Sequence, residues 1–106
     1  MKITSNVEND VITINLEGRL DTTTSPELQD ELDKLLTKTK FNLILDFKDL
    51  SYVSSAGLRV LLSAQKKAND LVGNVVIRNV SDSIMEVFEM TGFSDFLNIE
   101  PPAQSK

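Results

Sequence analysis

The 106-residue sequence predicts an α/β domain in which a mixed sheet of four or five strands carries helices packed beside it, in the order β-β-α-β-α-β-α-β. Three observations predict it. The chain opens on alternating apolar and polar residues, two later runs (Leu43–Phe47 and Val75–Ile77) are nearly continuous in apolar residues, and stretches of helical period introduced by serine or threonine fall among them. Right-handed crossovers then set the helices beside the sheet. The domain is expected over residues 1–100, with 101–106 as a flexible tail.

Ile3, Ser5 and Val7 share one face of a first strand, and Ile12, Ile14 and Leu16 one face of a second, with a tight turn over the intervening polar residues. Gly18 then punctuates the chain, and Arg19–Ser25 reads as a polar connector. The first helix starts with Ser25 as cap and Pro26 in its first position, or with Thr24 as cap and Glu27 completing a capping box. Leu28, Leu32, Leu35 and Leu36 form its apolar stripe.

After the polar 37–40, Phe41 and Leu43–Phe47 predict a strand buried on both faces, followed by a loop over 48–57. The second helix runs to about Leu71, with Leu58, Leu61, Leu62, Gln65, Ala68, Leu71 and Val72 on or near its inner side and Gly73 as its stop. Val75–Val80 supplies a further strand. Ser83 and Glu86 are spaced as a capping box for a third helix closed by Gly92. Phe93, Phe96, Leu97 and Ile99 supply an edge strand or a hydrophobic latch, and Phe47, Phe88, Phe93 and Phe96 read as core or near-core.

Composition removes whole classes of chemistry. Without histidine there is no imidazole-ligated metal, Ser-His-Asp triad or phosphohistidine, and without cysteine no disulfide, thiolate nucleophile or cysteine-held metal. A net charge of -5, with basic residues scattered among acids, argues against nucleic acid. No apolar run approaches the ~20 residues of a membrane-spanning helix, and the first ten residues lack the apolar stretch of a secretion signal, so a cytoplasmic protein without membrane insertion is expected. Four dispersed glycines build no phosphate loop, and no cofactor or metal is expected. Asp21, Asp46 and Asp49 would converge at one end of the sheet as in a magnesium-holding receiver, but no lysine follows the later strand.

The informative segment is Asp49–Leu58, which leaves a buried strand and enters a helix at Ser54-Ser55. Unpaired N–H groups in a first helical turn receive anionic oxygens, and Gly57 leaves the backbone open to approach. A phosphoryl group on either serine would add about -1.5 to -2 charge there. Either serine equally serves as an ordinary N-cap, worth roughly 1 kcal/mol. Nothing beside the serines activates a nucleophile, so an enzyme is not expected.

The stretches DLSYVSSAGLRVLL (Asp49–Leu62) and GRLDTTTSPEL (Gly18–Leu28) closely resemble the anti-sigma factor antagonists, single-domain members of the STAS family, and the likeness extends over nearly the whole chain. The resemblance implies a STAS-like fold and a protein that binds an anti-sigma factor serine kinase, which carries the ATP, and thereby frees a sigma factor. Phosphorylation of a serine at the start of the second helix would break that complex, and a PP2C-type serine phosphatase would reset it. The family's Asp-Ser-Ser-Gly or Asp-Ser-Ala-Gly pattern falls on Ser54-Ser55-Ala56-Gly57, making Ser55 the acceptor. Ser54 stands where the family often has aspartate and is a second candidate acceptor. Asp21 matches the family's aspartate beside the site. The partner surface is expected around Asp21, Thr22, Tyr52, Ser54, Ser55, Ala56, Gly57 and Arg59, with Lys66 on the face of Arg59. A STAS module serving a different partner, such as a stress-signalling complex, a phosphatase or a lipid-transport ATPase, is the alternative.

Overall fold

The computed structural model describes residues 1–36 and 40–100; the connector 37–39 and the expected tail 101–106 lie outside the described residues. Strands β1 (Lys2–Glu8) and β2 (Val11–Leu20) form an antiparallel hairpin closed at Glu8 and Val11, with Asn9 at φ 58° supplying the left-handed turn residue. Helix α1 (Ser25–Leu35) leads to β3 (Lys40–Val53), α2 (Ser55–Asp70), β4 (Val72–Arg78), α3 (Asp82–Thr91) and a 3₁₀ turn over Phe93–Asp95. The sheet order is β1-β2-β3-β4, with β3 parallel to both β2 and β4. The fifth strand shrinks to a single parallel bridge between Ile77 and Ile99.

Because each parallel strand adds on the same side of its predecessor, right-handed crossovers send α1 and α2 to the same face. Ile12, Ile14 and Leu16 of β2, Phe41, Leu43, Leu45 and Phe47 of β3, and Val75 and Ile77 of β4 are buried beneath the helices. The alternate residues Asn42, Ile44 and Asp46 are only half-buried, so β3 is covered on one face and not on both as the apolar run predicts. α3 returns Phe88 to the core against Phe47, ring centroids 6.4 Å apart and tilted 45°.

The largest departure from the sequence reading lies in β2 and β3. Gly18 does not end β2; at φ +108° it carries the strand through an irregularity to Leu20. β3 continues through the expected loop as far as Val53, and the register shows why it does not read as strand. Between Asn15↔Asp46 and Glu17↔Asp49, and again between Gly18↔Leu50 and Arg19↔Tyr52, β3 advances one residue more than β2. Its inward residues are therefore Phe47, Leu50 and Val53, a spacing that hides the two-residue period of a strand.

Three helix ends also differ. Thr24 is the N-cap residue of α1 but makes no side-chain cap bond. α2 ends at Leu71 in an extended conformation, and Gly73 lies inside β4, where a Cβ would meet the Phe41 ring at 2.6 Å. α3 is capped by Ser81, whose Oγ accepts from Ile84 N–H at 3.3 Å, in place of Ser83; Gly92 closes it in the left-handed conformation at φ 79° as expected. Leu62 is exposed on α2 because the buried stripe runs Gly57, Val60, Leu61, Ala64 and Ala68. Phe96 is 66% exposed and is not core; Leu97 takes the buried position.

Candidate functional site

β2 and β3 run parallel and stop side by side, so the loops into α1 and α2 emerge at the same end of the sheet. Ser54 N–H donates to Leu20 O at 2.8 Å, extending the ladder one residue past β3 and joining the two loops. Ser51 Oγ donates to Gly18 O at 2.9 Å, a side-chain bond across the irregular stretch of the β2–β3 pair.

The two serines divide their roles. Ser54 is extended (φ -93°, ψ 174°) and its Oγ accepts from Gly57 N–H at 3.3 Å, while its carbonyl accepts from Leu58 N–H at 2.9 Å. It is half-buried and is the N-cap. Ser55, the first residue of α2, is exposed, and its hydroxyl makes no hydrogen bond among the described residues. No acidic residue sits in the first turn of α2, whereas α1 has Glu27 and α3 has Asp82 there. The first turn of α2 itself supplies no compensating charge for the positive helix end.

Gly57 is buried, and a Cβ there would stand 2.8 Å from Leu20 Cγ. The glycine lets α2 approach β2; it does not open the backbone to solvent. Ala56, half-buried, and the exposed Thr22 and Arg59 line a cleft of about 360 Å³ between the starts of α1 and α2, completed by Ser25, Pro26, Gln29 and Val60.

Asp21 organises the first loop. Its Oδ1 accepts from Thr23 N–H and Thr24 N–H, each at 3.0 Å, and from Thr24 Oγ1 at 3.1 Å. Thr24 Oγ1 also reaches Arg19 O at 2.7 Å and receives Asp21 N–H at 2.8 Å, which explains why it does not cap α1. The Thr24 N–H bond holds the Asp21 carboxyl below its ordinary value; partial burial opposes this, and the Thr24 hydroxyl, Thr23 N–H and Arg19 reinforce it. Arg19 Nε lies 3.9 Å from Asp21 Oδ2, and its guanidinium sits 4.1 Å from the centroid of the Tyr52 ring. Tyr52, 40% exposed, is thus a strand residue opposite Arg19 and not a loop residue.

The three aspartates do not converge on a metal. Asp46 Oδ1 accepts from Lys48 N–H and from the Asn79 side-chain amide, each at 3.0 Å, and no cluster able to hold a metal occurs among the described residues. Nor is any described helix long and apolar enough to cross a membrane.

The sequence reading does not place Arg19, Ser25, Gln29 or Leu62 at the site. Ser25 is buried, donating both N–H and Oγ to Asp21 O. Leu62, three residues after Arg59 and four before Lys66, stands between them on the exposed side of α2. The missing signal was Val60, which with Leu61 and Ala64 fills the inner stripe.

Residues 2–105 match the STAS domain family. The chain is 33% identical to BtrV of Bordetella bronchiseptica over 106 residues, covering all of this chain and 89% of that protein. It is 31% identical to the anti-sigma-B factor antagonist of Listeria monocytogenes over 93 residues, 88% of this chain and 82% of the relative. Among solved structures, the Bacillus cell fate determinant SpoIIAA in its phosphorylated form matches with a TM-score of 0.72 at 19% identity, over 94% of this chain and 92% of that one. The hairpin, the parallel β2–β3 pair with its two loops, and the serine-led second helix therefore occur in a chain that belongs to the STAS-domain, anti-sigma factor antagonist family.

Proposed function

We propose that the unphosphorylated protein binds an anti-sigma factor serine kinase and frees its sigma factor, and that phosphorylation of Ser55 dissociates the complex until a PP2C-type phosphatase removes the phosphate. The observation that carries this reading is the division of labour at α2: Ser54 is engaged as the cap and Ser55 presents a free, exposed hydroxyl. The 31% identity over 93 residues to the anti-sigma-B factor antagonist of Listeria monocytogenes supports the choice of partner.

The docking face consists of Asp21 and Thr22 from the loop after β2, Tyr52 from the end of β3, Ser54, Ser55 and Ala56 at the helix start, and Arg59, Leu62 and Lys66 along α2, with Gly57 holding the helix in place. Arg59 lies four residues after Ser55 and so one turn along the same face. A phosphate on Ser55 acts on this surface in three ways. It supplies the negative charge that the first turn of α2 lacks, which the helix tolerates without unfolding. It competes with the partner's acids for Arg59, and it sets a dianion on a surface that already carries the Asp21 carboxylate. A loss of about 3 kcal/mol in binding would lower affinity roughly a hundredfold, enough for a switch.

Titration calorimetry with the cognate kinase tests the reading. Ser55→Asp should bind at least about a hundredfold more weakly than wild type with an unchanged circular dichroism spectrum. Equal binding by Ser55→Asp and wild type would refute it.

A further inference from the structure

The two edges of the sheet are finished differently. Alongside β4, Ile77 N–H donates to Asn98 O at 2.9 Å and Glu100 N–H to Ile77 O at 2.8 Å, with an Arg78–Glu100 ion pair at 3.4 Å. Nothing among the described residues pairs with the outer edge of β1. Open edges are usually blunted by proline, a bulge or an inward charge. β1 has none of these: its sequence KITSNVE pairs residue for residue with β2, and its only charges are Lys2 and Glu8 at its two ends.

The hairpin fixes which backbone groups are free. A two-residue turn is closed by a hydrogen-bonded pair, here Glu8 and Val11, and such pairs alternate along an antiparallel ladder. Lys2, Thr4, Asn6 and Glu8 therefore turn their N–H and C=O groups to β2, while those of Ile3, Ser5 and Val7 point outward.

We infer that β1 docks a second copy of this chain, antiparallel, about a two-fold axis at Ser5. In that register Ser5 faces the second copy's Ser5, Ile3 faces its Val7, Thr4 faces its Asn6 and Lys2 faces its Glu8. The outward groups of Ile3, Ser5 and Val7 all find partners, Val7, which is 55% exposed, gains an apolar neighbour, and each terminal charge meets its opposite. Parallel pairing would set Lys2 on Lys2 and Glu8 on Glu8. A slip of two residues leaves Lys2 opposite Asn6 or Glu8 opposite Thr4, so one register alone pairs both strand charges while filling the outward backbone groups, with Glu31, which accepts from Ser5 Oγ at 3.2 Å, a carboxylate left near the axis. The axis stands perpendicular to the sheet, which becomes continuous across the two copies with all helices on one face. The two Ser55 ends then point in opposite directions, and the docking face of each copy stays free. This inference rests on β1 alone and stands or falls apart from the function proposed above.

Sedimentation velocity over a concentration series tests it with wild type, Lys2→Glu, Glu8→Lys, the double reversal, and Ser5→Pro. Wild type should dimerise as concentration rises, each single reversal should weaken association about tenfold or more, and the double reversal should restore it. Ser5→Pro removes an outward N–H that β2 does not use, together with the exposed Ser5–Glu31 hydrogen bond, and should abolish the dimer with the fold intact by circular dichroism. A wild-type protein that stays monomeric up to roughly 1 mM, or a dimer indifferent to both single reversals, overturns the inference.

Discussion

Gly57 and Leu20 are in such close approach that a Cβ on residue 57 would lie 2.8 Å from Leu20 Cγ and 3.1 Å from Leu20 O, the same carbonyl that accepts the Ser54 N–H. Side-chain bulk at 57 therefore pushes directly on the hydrogen bond that places the serines. Gly57→Val should lose about 1–3 kcal/mol of stability in urea unfolding, the range for overpacking a tight contact. A variant as stable as wild type would show that α2 does not depend on this contact.

The cap and the proposed acceptor are separable. Ser54→Ala leaves Gly57 N–H without its side-chain partner and should cost about 1 kcal/mol. Ser55→Ala removes an exposed, unbonded hydroxyl and should stay within about 0.5 kcal/mol of wild type. Chemical denaturation of the two variants side by side decides this, and a reversed order would reassign the cap.

Asp21 predicts a specific acid sensitivity. Its carboxyl is lowered from 3.8 in the folded protein, chiefly by the Thr24 N–H bond, so the folded state binds fewer protons than the unfolded state between the two values. The stabilisation is fully present above 3.8 and is lost as pH falls through the lowered folded value. Asp21→Asn should therefore show a shallower loss of stability across that acid range, measured by urea unfolding at stepped pH. Parallel curves for the two proteins would mean that Asp21 carries no such linkage.

Two phenylalanines test the core assignment. Phe88 is fully buried against Phe47, and Phe88→Ala should cost about 3–5 kcal/mol; Phe96 is 66% exposed, and Phe96→Ser should change stability by no more than about 0.5 kcal/mol. Thermal unfolding of both variants checks the contrast. Similar losses would place Phe96 in the core, as its apolar neighbourhood in sequence suggests.

The order of elements is legible because each carries its own local signal: the alternation of Ile12, Ile14 and Leu16, the stripe of Leu28 and Leu32, and Gly92 ending α3 in the left-handed conformation. Ser54, Ser55 and Asp21 are legible by their motif. What escapes notice depends on relationships between elements. The end of β3 is invisible because two extra residues relative to β2 replace alternation by the spacing Phe47, Leu50, Val53. Thr24 and Glu27 satisfy the capping-box pattern, yet the Thr24 hydroxyl is taken by Arg19 O and by Asp21. Gly73 resembles a helix stop until the Phe41 ring beside it is known, and Leu62 fits an inner face until Val60 takes its place.

The most direct measurement is to incubate wild type, Ser54→Ala and Ser55→Ala with the cognate anti-sigma factor kinase and ATP and locate the phosphate by mass spectrometry. Phosphate on Ser55 in wild type and in Ser54→Ala, with none in Ser55→Ala, is the predicted result. Phosphate retained on Ser54 in Ser55→Ala, or no modification of wild type at either serine, would contradict it.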